Sequence, residues 1–344
     1  MSLYPTFSDH NNLGNDSHMK TRSLVSCTIE DFHSYVFDTK HSIESELEKL
    51  VSKISDVRLH PLLEFALLSN GKRLRPILTV LSAQSVGGDP QKVKPLALSF
   101  ELLHTATLVH DDIIDQDICR RGMKTLYSKW FTKGALLAGD ALIALSVNLA
   151  ADFGPEIMKI LSEVGLELSD GEYIDAVLSL DNATEQQYFT KIEKKSASLF
   201  RCATCCGALA AGGSRLEVEA LAKFGEYFGM AYQLNDDLDD LLGKNQISRD
   251  LRNGNVTLPF LYMNEHGDDA AKELMKRNFG NRNVTLAVME EVKDRMEEFG
   301  AFRYCKAKIA EYVKNSRSSL EIVRDSRFKN YLMMFSGYVD EFEG

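Results

Sequence analysis

Positive charge is in short supply: 40 Lys and Arg face 50 Asp and Glu, for a formal net charge of −10 and a pI near 5.4. A nucleic-acid surface needs a basic stripe, so that class of partner is excluded and the cations present must act locally. Proline is sparse, with 7 in 344 residues. Alternating β-branched runs are few, whereas apolar residues recur in steps of three and four. This combination predicts a nearly all-helical protein with almost no sheet. No signal-peptide pattern opens the chain, and the most apolar run, residues 134–151, is interrupted by Asp140 and Asn148. The expectation is a cytoplasmic protein without a membrane span, in which this run forms a central, buried helix. The 6 cysteines have no framework spacing. Cys202 and Cys205 form a CxxC, but without a second ligand pair or a nearby histidine, so free thiols are expected rather than zinc. Dinucleotide and ATP glycine fingerprints, short repeats and low-complexity linkers are all missing.

What is present is enough apolar material for one large core, 44% of residues against 26% charged. Residues 1–27 are polar and aperiodic and read as a disordered tail; 28–344 read as a single all-helical catalytic domain. Thr28 with Asp31 resembles a helix cap.

Two stretches organise the domain. In the first, Glu101–Gly122, the apolar residues Leu96, Phe100, Leu103, Thr107 and Ile114 recur at helical spacing. At ~100° per residue, His104, Asp111 and Asp115 then share one stripe, flanked by Asp112. Adjacent carboxylates beside a core stripe are unfavourable unless a cation neutralises them. A solvated helix end is the alternative for such a cluster. A second copy of the pattern, GMAYQLNDDLDDLLG, counts against it: Leu221, Phe224, Phe228, Ala231, Leu238 and Leu242 form the apolar stripe, and Gln233, Asp236, Asp237 and Asp240 gather on a neighbouring face.

Cations stand near a helix start at Gly71, where Lys72, Arg73 and Arg75 precede or flank Pro76, and again at Arg120 and Arg121. Helix N-termini favour anions, and Arg binds phosphate bidentately. Paired carboxylates suit Mg²⁺, which completes its shell with water and substrate phosphate oxygens. The substrate suggested is an amphiphile with a diphosphate head and an apolar tail.

The order GKRLRP, LLHTATLVHDDIIDQDICRRG, GDALI, KSASLF, GMAYQLNDDLDD, DLRNGNVTLP resembles the trans-type isoprenyl diphosphate synthases over roughly residues 50–260. The resemblance implies an all-α bundle of the isoprenoid-synthase type around a central apolar cavity, and a homodimer. It implies a Mg²⁺-dependent prenyltransferase that condenses isopentenyl diphosphate with an allylic diphosphate. By the same resemblance Asp111, Asp112, Asp115, Asp236, Asp237 and Asp240 hold Mg²⁺ and the allylic diphosphate. Lys72, Arg75, His104 and Arg121 match the isopentenyl diphosphate contacts, and Arg120 matches a contact to the allylic one. Lys195, Ser196 and Gln233 match the Lys, Thr and Gln that face the allylic cation. Ala106 and Thr107 occupy the positions that set chain length; both are small, which points to a product longer than farnesyl.

Two positions depart from that pattern. The lysine after DLxxG is here Asn255, leaving Lys244 as the candidate phosphate-binding lysine, and Asp239 stands where an apolar residue is usual. A terpene cyclase and a metal-dependent phosphohydrolase built on His110 and Asp111 are the rival enzymes. The first lacks GKRLRP and RRG; the second needs more converging histidines than the 8 in the chain. A catalytically silent partner subunit is a further rival, disfavoured because no motif aspartate is missing.

Overall fold

A computed structural model describes residues 27–120, 122–243 and 247–337. The expected tail therefore lies outside the described residues except for Cys27, as do Arg121 and Lys244.

The described chain is a helical bundle whose only strands are a two-residue antiparallel pair, Cys119–Arg120 with Met123–Lys124. The first helix, α1 (Ile29–Lys53), starts at the capping box that Thr28 and Asp31 make reciprocally. Helix α2 (His60–Leu67) leads to α3 (Leu74–Ser85), whose N-cap, Arg73, takes a left-handed backbone (φ 53). Helix α4 (Pro90–Ile114) carries the first aspartate cluster at its C-terminal end. Next come α5 (Leu126–Ala151), α6 (Pro155–Val177), α7 (Glu185–Ile192), α8 (Ser198–Ala210) and α9 (Arg215–Leu242), the last bearing the second cluster. Six further helices close the fold: α10 (Arg249–Asn253), α11 (Leu258–His266), α12 (Asp269–Asn278), α13 (Leu286–Phe299), α14 (Ala301–Ser319) and α15 (Arg327–Gly337).

The apolar stripes seen in the sequence are the ones that pack. On α9, Leu221, Phe224, Phe228, Ala231 and Leu238 are buried, while Leu242 is 38% exposed at the helix end. Phe228 meets Phe200 edge-on at 5.2 Å and Phe335 at 5.5 Å. Burying each such ring contributes about 1.5–3 kcal/mol, so α9 is anchored at its middle and its acidic end is held where the core sets it. A second core joins α1, α2, α4 and α5; a third joins α4, α6 and α8.

Helix α5 is not the buried central helix that its composition predicts. Ala135, Ala138, Gly139 and Leu142 pack inward, but Leu136, Leu137 and Val147 are exposed, and only 33% of its most apolar window is buried. By length and composition it is long and apolar enough to cross a membrane. A helix apolar all round shows only that both faces want cover; this chain covers one. Asp140 lies on the outer side, 59% exposed, with its carboxylate 3.7 Å from His110 Nε2.

Between α7 and α8 the helix widens into one π turn, Glu193–Ala197. Such insertions re-aim side chains and recur at functional sites. Two glycines make room for it: a Cβ at Gly171 of α6 would sit 2.4 Å from the Lys195 nitrogen, and one at Gly229 of α9 would sit 2.6 Å from the Ala197 Cα. The turn presents Lys195 and Ser196.

Candidate active site

Helices α4, α6, α7, α9 and the π turn enclose a cavity of about 920 Å³, within the ~300–1,000 Å³ range of small-molecule sites. Asp111 and Asp115 of α4 line it, as do Asp236, Asp237, Asp239 and Asp240 of α9. Lys195, Ser196 and Gln233 line the same space, and Leu103, Ile143 and Leu168 give it apolar wall. A smaller pocket of about 60 Å³ adjoins, lined by Gly71, Lys72, Arg75 and His104; Arg75 and His104 belong to both. Lys72 stands 5.8 Å from the Tyr232 ring and Arg75 packs over Phe200 at 4.1 Å. Arg73, between them, turns inward instead: it bonds Glu101 Oε1 at 2.7 Å and the carbonyls of Leu67 and Ser69. The basic loop is thus pinned by its middle residue, and the flanking two line the smaller pocket.

Not every expected residue reaches the cavity in the same way. Asp112 is buried outside the lining, where its Oδ1 accepts from Arg120 Nε at 2.7 Å. Burial, more than Asp117 and Asp111 nearby, raises its pKa to about 6 against the pull of Arg120. Ala106 also falls outside the lining, fully buried in the core that joins α4 to α5, whereas Thr107 does line the cavity. Their separation follows from the ~100° step between neighbours on a helix. Asp237 has both oxygens occupied: Oδ2 accepts from Tyr188 at 2.6 Å and Oδ1 from Gln233 at 2.7 Å. Burial raises its pKa to about 6, partly offset by Lys191, Tyr188 and Gln233. Asp240 closes the following loop, accepting from the Ser248 hydroxyl and from the backbone N–H groups of Arg249 and Asp250. Asp239, unexplained in the sequence, accepts from Asn235 at 2.8 Å.

Sequence reasoning named Lys195 and Ser196 but missed the partners Glu172, Asp175 and Lys191, which hold Lys195 beside the first cluster. Lys195 Nζ lies 2.7 Å from both Glu172 Oε2 and Asp175 Oδ2, and 3.7 Å from Asp111 Oδ2. Burial opposes its charge, but Asp111 and Asp175 outweigh this and its pKa is raised. Burial and the neighbouring Asp111 push Glu172 up to about 8. Asp175 is held down to about 2: burial works against its charge, and Lys191 and Lys195 overcome it. Lys191 also donates to the Val256 carbonyl at 2.7 Å. Ser196 Oγ donates to Gln233 Oε1 at 2.5 Å, joining the π turn to α9. Glu172 and Asp175 are one turn apart on α6 and on the same face, the single signal in the sequence that marks them.

Mg²⁺ fits this donor set. The ligand atoms are hard carboxylate oxygens, and burial raises the pKa of Asp115 through a desolvation cost that a cation would relieve. Among the described residues no three His, Cys, Asp or Glu stand close enough to hold an ion by themselves, as expected where water and substrate oxygens complete the shell. All six cysteines are free thiols.

A family model described as polyprenyl synthetase matches residues 57–296. The chain is 32% identical over 320 residues to heptaprenyl diphosphate synthase component 2 of Bacillus subtilis, covering 89% of each chain. It is 31% identical over 311 residues to a short chain isoprenyl diphosphate synthase of Methanothermobacter thermautotrophicus, covering 86% of this chain and 95% of the relative. A crystal structure of a decaprenyl diphosphate synthase from Rhodobacter capsulatus superposes with a TM-score of 0.82 at 28% identity, covering 90% of this chain and 98% of the other.

Proposed function

This chain belongs to the polyprenyl synthetase family and is an isoprenyl diphosphate synthase, and from that premise we propose how its residues divide the work. It is a prenyltransferase that joins isopentenyl diphosphate to an allylic diphosphate and elongates it to a trans-polyprenyl diphosphate longer than farnesyl. The observation that carries the reading is one cavity lined by Asp111 and Asp115, by Asp236 and Asp240, and by apolar side chains.

Asp111, Asp115, Asp236 and Asp240 would hold Mg²⁺ together with the allylic diphosphate. When bound, Mg²⁺ supplies Lewis-acid stabilisation of the leaving diphosphate. Lys72, Arg75 and His104 bind isopentenyl diphosphate in the adjoining pocket, where Arg can take two phosphate oxygens at once. As the allylic C–O bond breaks, positive charge grows on carbon. The Ser196 and Gln233 dipoles, fixed to each other at 2.5 Å, meet it without reorganising. Lys195, locked by Asp175 and Glu172, keeps its charge at the cluster side. Leu103, Ile143 and Leu168 exclude water from the cation and receive the tail. The released diphosphate accepts the proton lost in the last step, so no side-chain base is needed.

The exposed apolar face of α5, with Leu136, Leu137 and Val147, supports the homodimer reading, because that face needs cover and a second copy supplies an identical one. Thr107 supports a long product, since its small side chain lines the cavity one turn before Asp111. The test is to incubate the purified protein with allylic diphosphates, labelled isopentenyl diphosphate and Mg²⁺, with a chelator control. Label should appear in polyprenyl diphosphates longer than fifteen carbons, about three isoprene units. Cyclic hydrocarbon or free phosphate alone would place the chain in a rival class.

A further inference from the structure

Arg249 stands at the rim beside the second cluster. Its position is set by its backbone, whose N–H donates to Asp240 Oδ1 at 3.1 Å, next to Ser248, which bonds the other oxygen of the same carboxylate. The side chain lines the cavity. Its ionic contact is long, Nη1 to Asp117 Oδ2 at 3.7 Å, and both Nε and that Asp117 oxygen are buried without a hydrogen-bond partner. The side chain is 35% exposed, so its outer guanidinium N–H groups, engaged in that long contact, are open to an acceptor from the cavity. Burial disfavours its charge, but Asp250, Asp117, Asp240 and Asp236 surround it and keep it protonated.

Among the described residues the other cations lining the cavity are engaged. Arg120 is spent on Asp112 at 2.7 Å. Lys191 is spent on Asp175 and a backbone carbonyl, and Lys195 on Glu172 and Asp175. Arg75 lies over Phe200 towards the smaller pocket. Near the second cluster, the neutral Asn255 donates its amide to Asp250 Oδ1 at 3.1 Å and brings no charge.

We propose that Arg249 is a substrate-binding residue: its guanidinium takes a non-bridging oxygen of the allylic diphosphate beside the second aspartate cluster, the contact that Asn255 cannot make. The proposal rests on reading this cavity as a prenyl diphosphate synthase site. It assigns Arg249 to one substrate only, because isopentenyl diphosphate is served by Lys72, Arg75 and His104.

The experiment uses the full chain with Mg²⁺ and farnesyl thiodiphosphate, an analogue slow to ionise, whose dissociation constant is read by calorimetry. Arg249→Gln should raise that constant and the KM for the allylic substrate by about tenfold to a hundredfold, as loss of a charge-assisted bond does. The KM for isopentenyl diphosphate should stay within about twofold, with the melting temperature unchanged. Adding Asn255→Lys to Arg249→Gln should recover most of the lost affinity. Unchanged analogue binding in Arg249→Gln overturns the proposal, as does an equal rise in both KM values with a lower melting temperature, which would make Arg249 a loop anchor. If the parent protein elongates while Arg249→Gln binds like the parent, only this inference fails. If the parent neither binds the analogue nor elongates, the functional reading fails with it.

Discussion

Replacing Asp237 by Asn should make the free protein more stable at neutral pH while impairing it as an enzyme. Asp237 is buried, and its carboxyl has a pKa of about 6 against an ordinary value of 3.8. Because the folded value is raised, the folded state binds the proton more tightly. The stability this brings is full below pH 3.8 and is lost as pH rises through about 6. The upward shift of about two units corresponds to ~3 kcal/mol of destabilisation above pH 6. Asn carries no charge to desolvate, and it can keep both contacts, since its oxygen accepts from Gln233 while its amide donates to the Tyr188 hydroxyl, which accepts as readily as it donates. An unfolding entropy of ~2.1 cal/mol/K per residue gives about 0.7 kcal/mol/K for this length, so ~3 kcal/mol is a rise of roughly 4 °C in melting temperature. Melting followed by circular dichroism at pH 7.5 should show that rise, and at pH 4.5 it should fall to about a third of it. Turnover should fall, because Asn removes one negative charge from the cluster beside Asp236 and Asp240 that Mg²⁺ would face. A variant that melts lower than the parent at pH 7.5, or gains equally at both pH values, would refute the argument.

Three other outcomes are expected. Asp115→Ala and Asp236→Ala should each reduce kcat by at least ~10²-fold with helix content intact, since each removes a cavity carboxylate and not core packing; near-parental turnover in either variant removes it from the metal site. Thr107→Phe should shorten the product, whereas Ala106→Phe, forced into the seam between α4 and α5, should cost about 1–3 kcal/mol of stability and leave chain length alone; the reverse pattern by product chromatography and melting places the cavity floor elsewhere. Gly171→Ala puts a methyl against the Lys195 backbone and should displace the π turn, lowering kcat by up to ~10²-fold with the KM for isopentenyl diphosphate unmoved; parental kcat would show that the turn tolerates the shift.

The period of the sequence determined which helices exist and which face each buries. Steps of three and four placed Phe224, Phe228 and Leu238 in the core and therefore put Asp236 and Asp240 on the cavity side, and the same rule set Asp111 and Asp115 on one stripe of α4. Cap chemistry was equally local, so Thr28 with Asp31 marked the start of α1 as it stands. The motif order named the reaction class because it matched that of a known family along most of the chain.

Tertiary structure alone decided the rest. Lys195 reaches Glu172 and Asp175 from a different helix, and Tyr188 reaches Asp237 across 49 positions of chain; a periodic reading sees neighbours on one helix and nothing between helices. The π turn at Glu193–Ala197 breaks the very period that such a reading assumes. Composition counted the apolar residues of α5 correctly and yet placed them wrongly inside, because hydrophobicity says that a surface wants cover and not whether this chain supplies it. Arg249 was invisible for the same reason: its meaning lies in Asp117 and Asp240, which only the folded chain brings beside it.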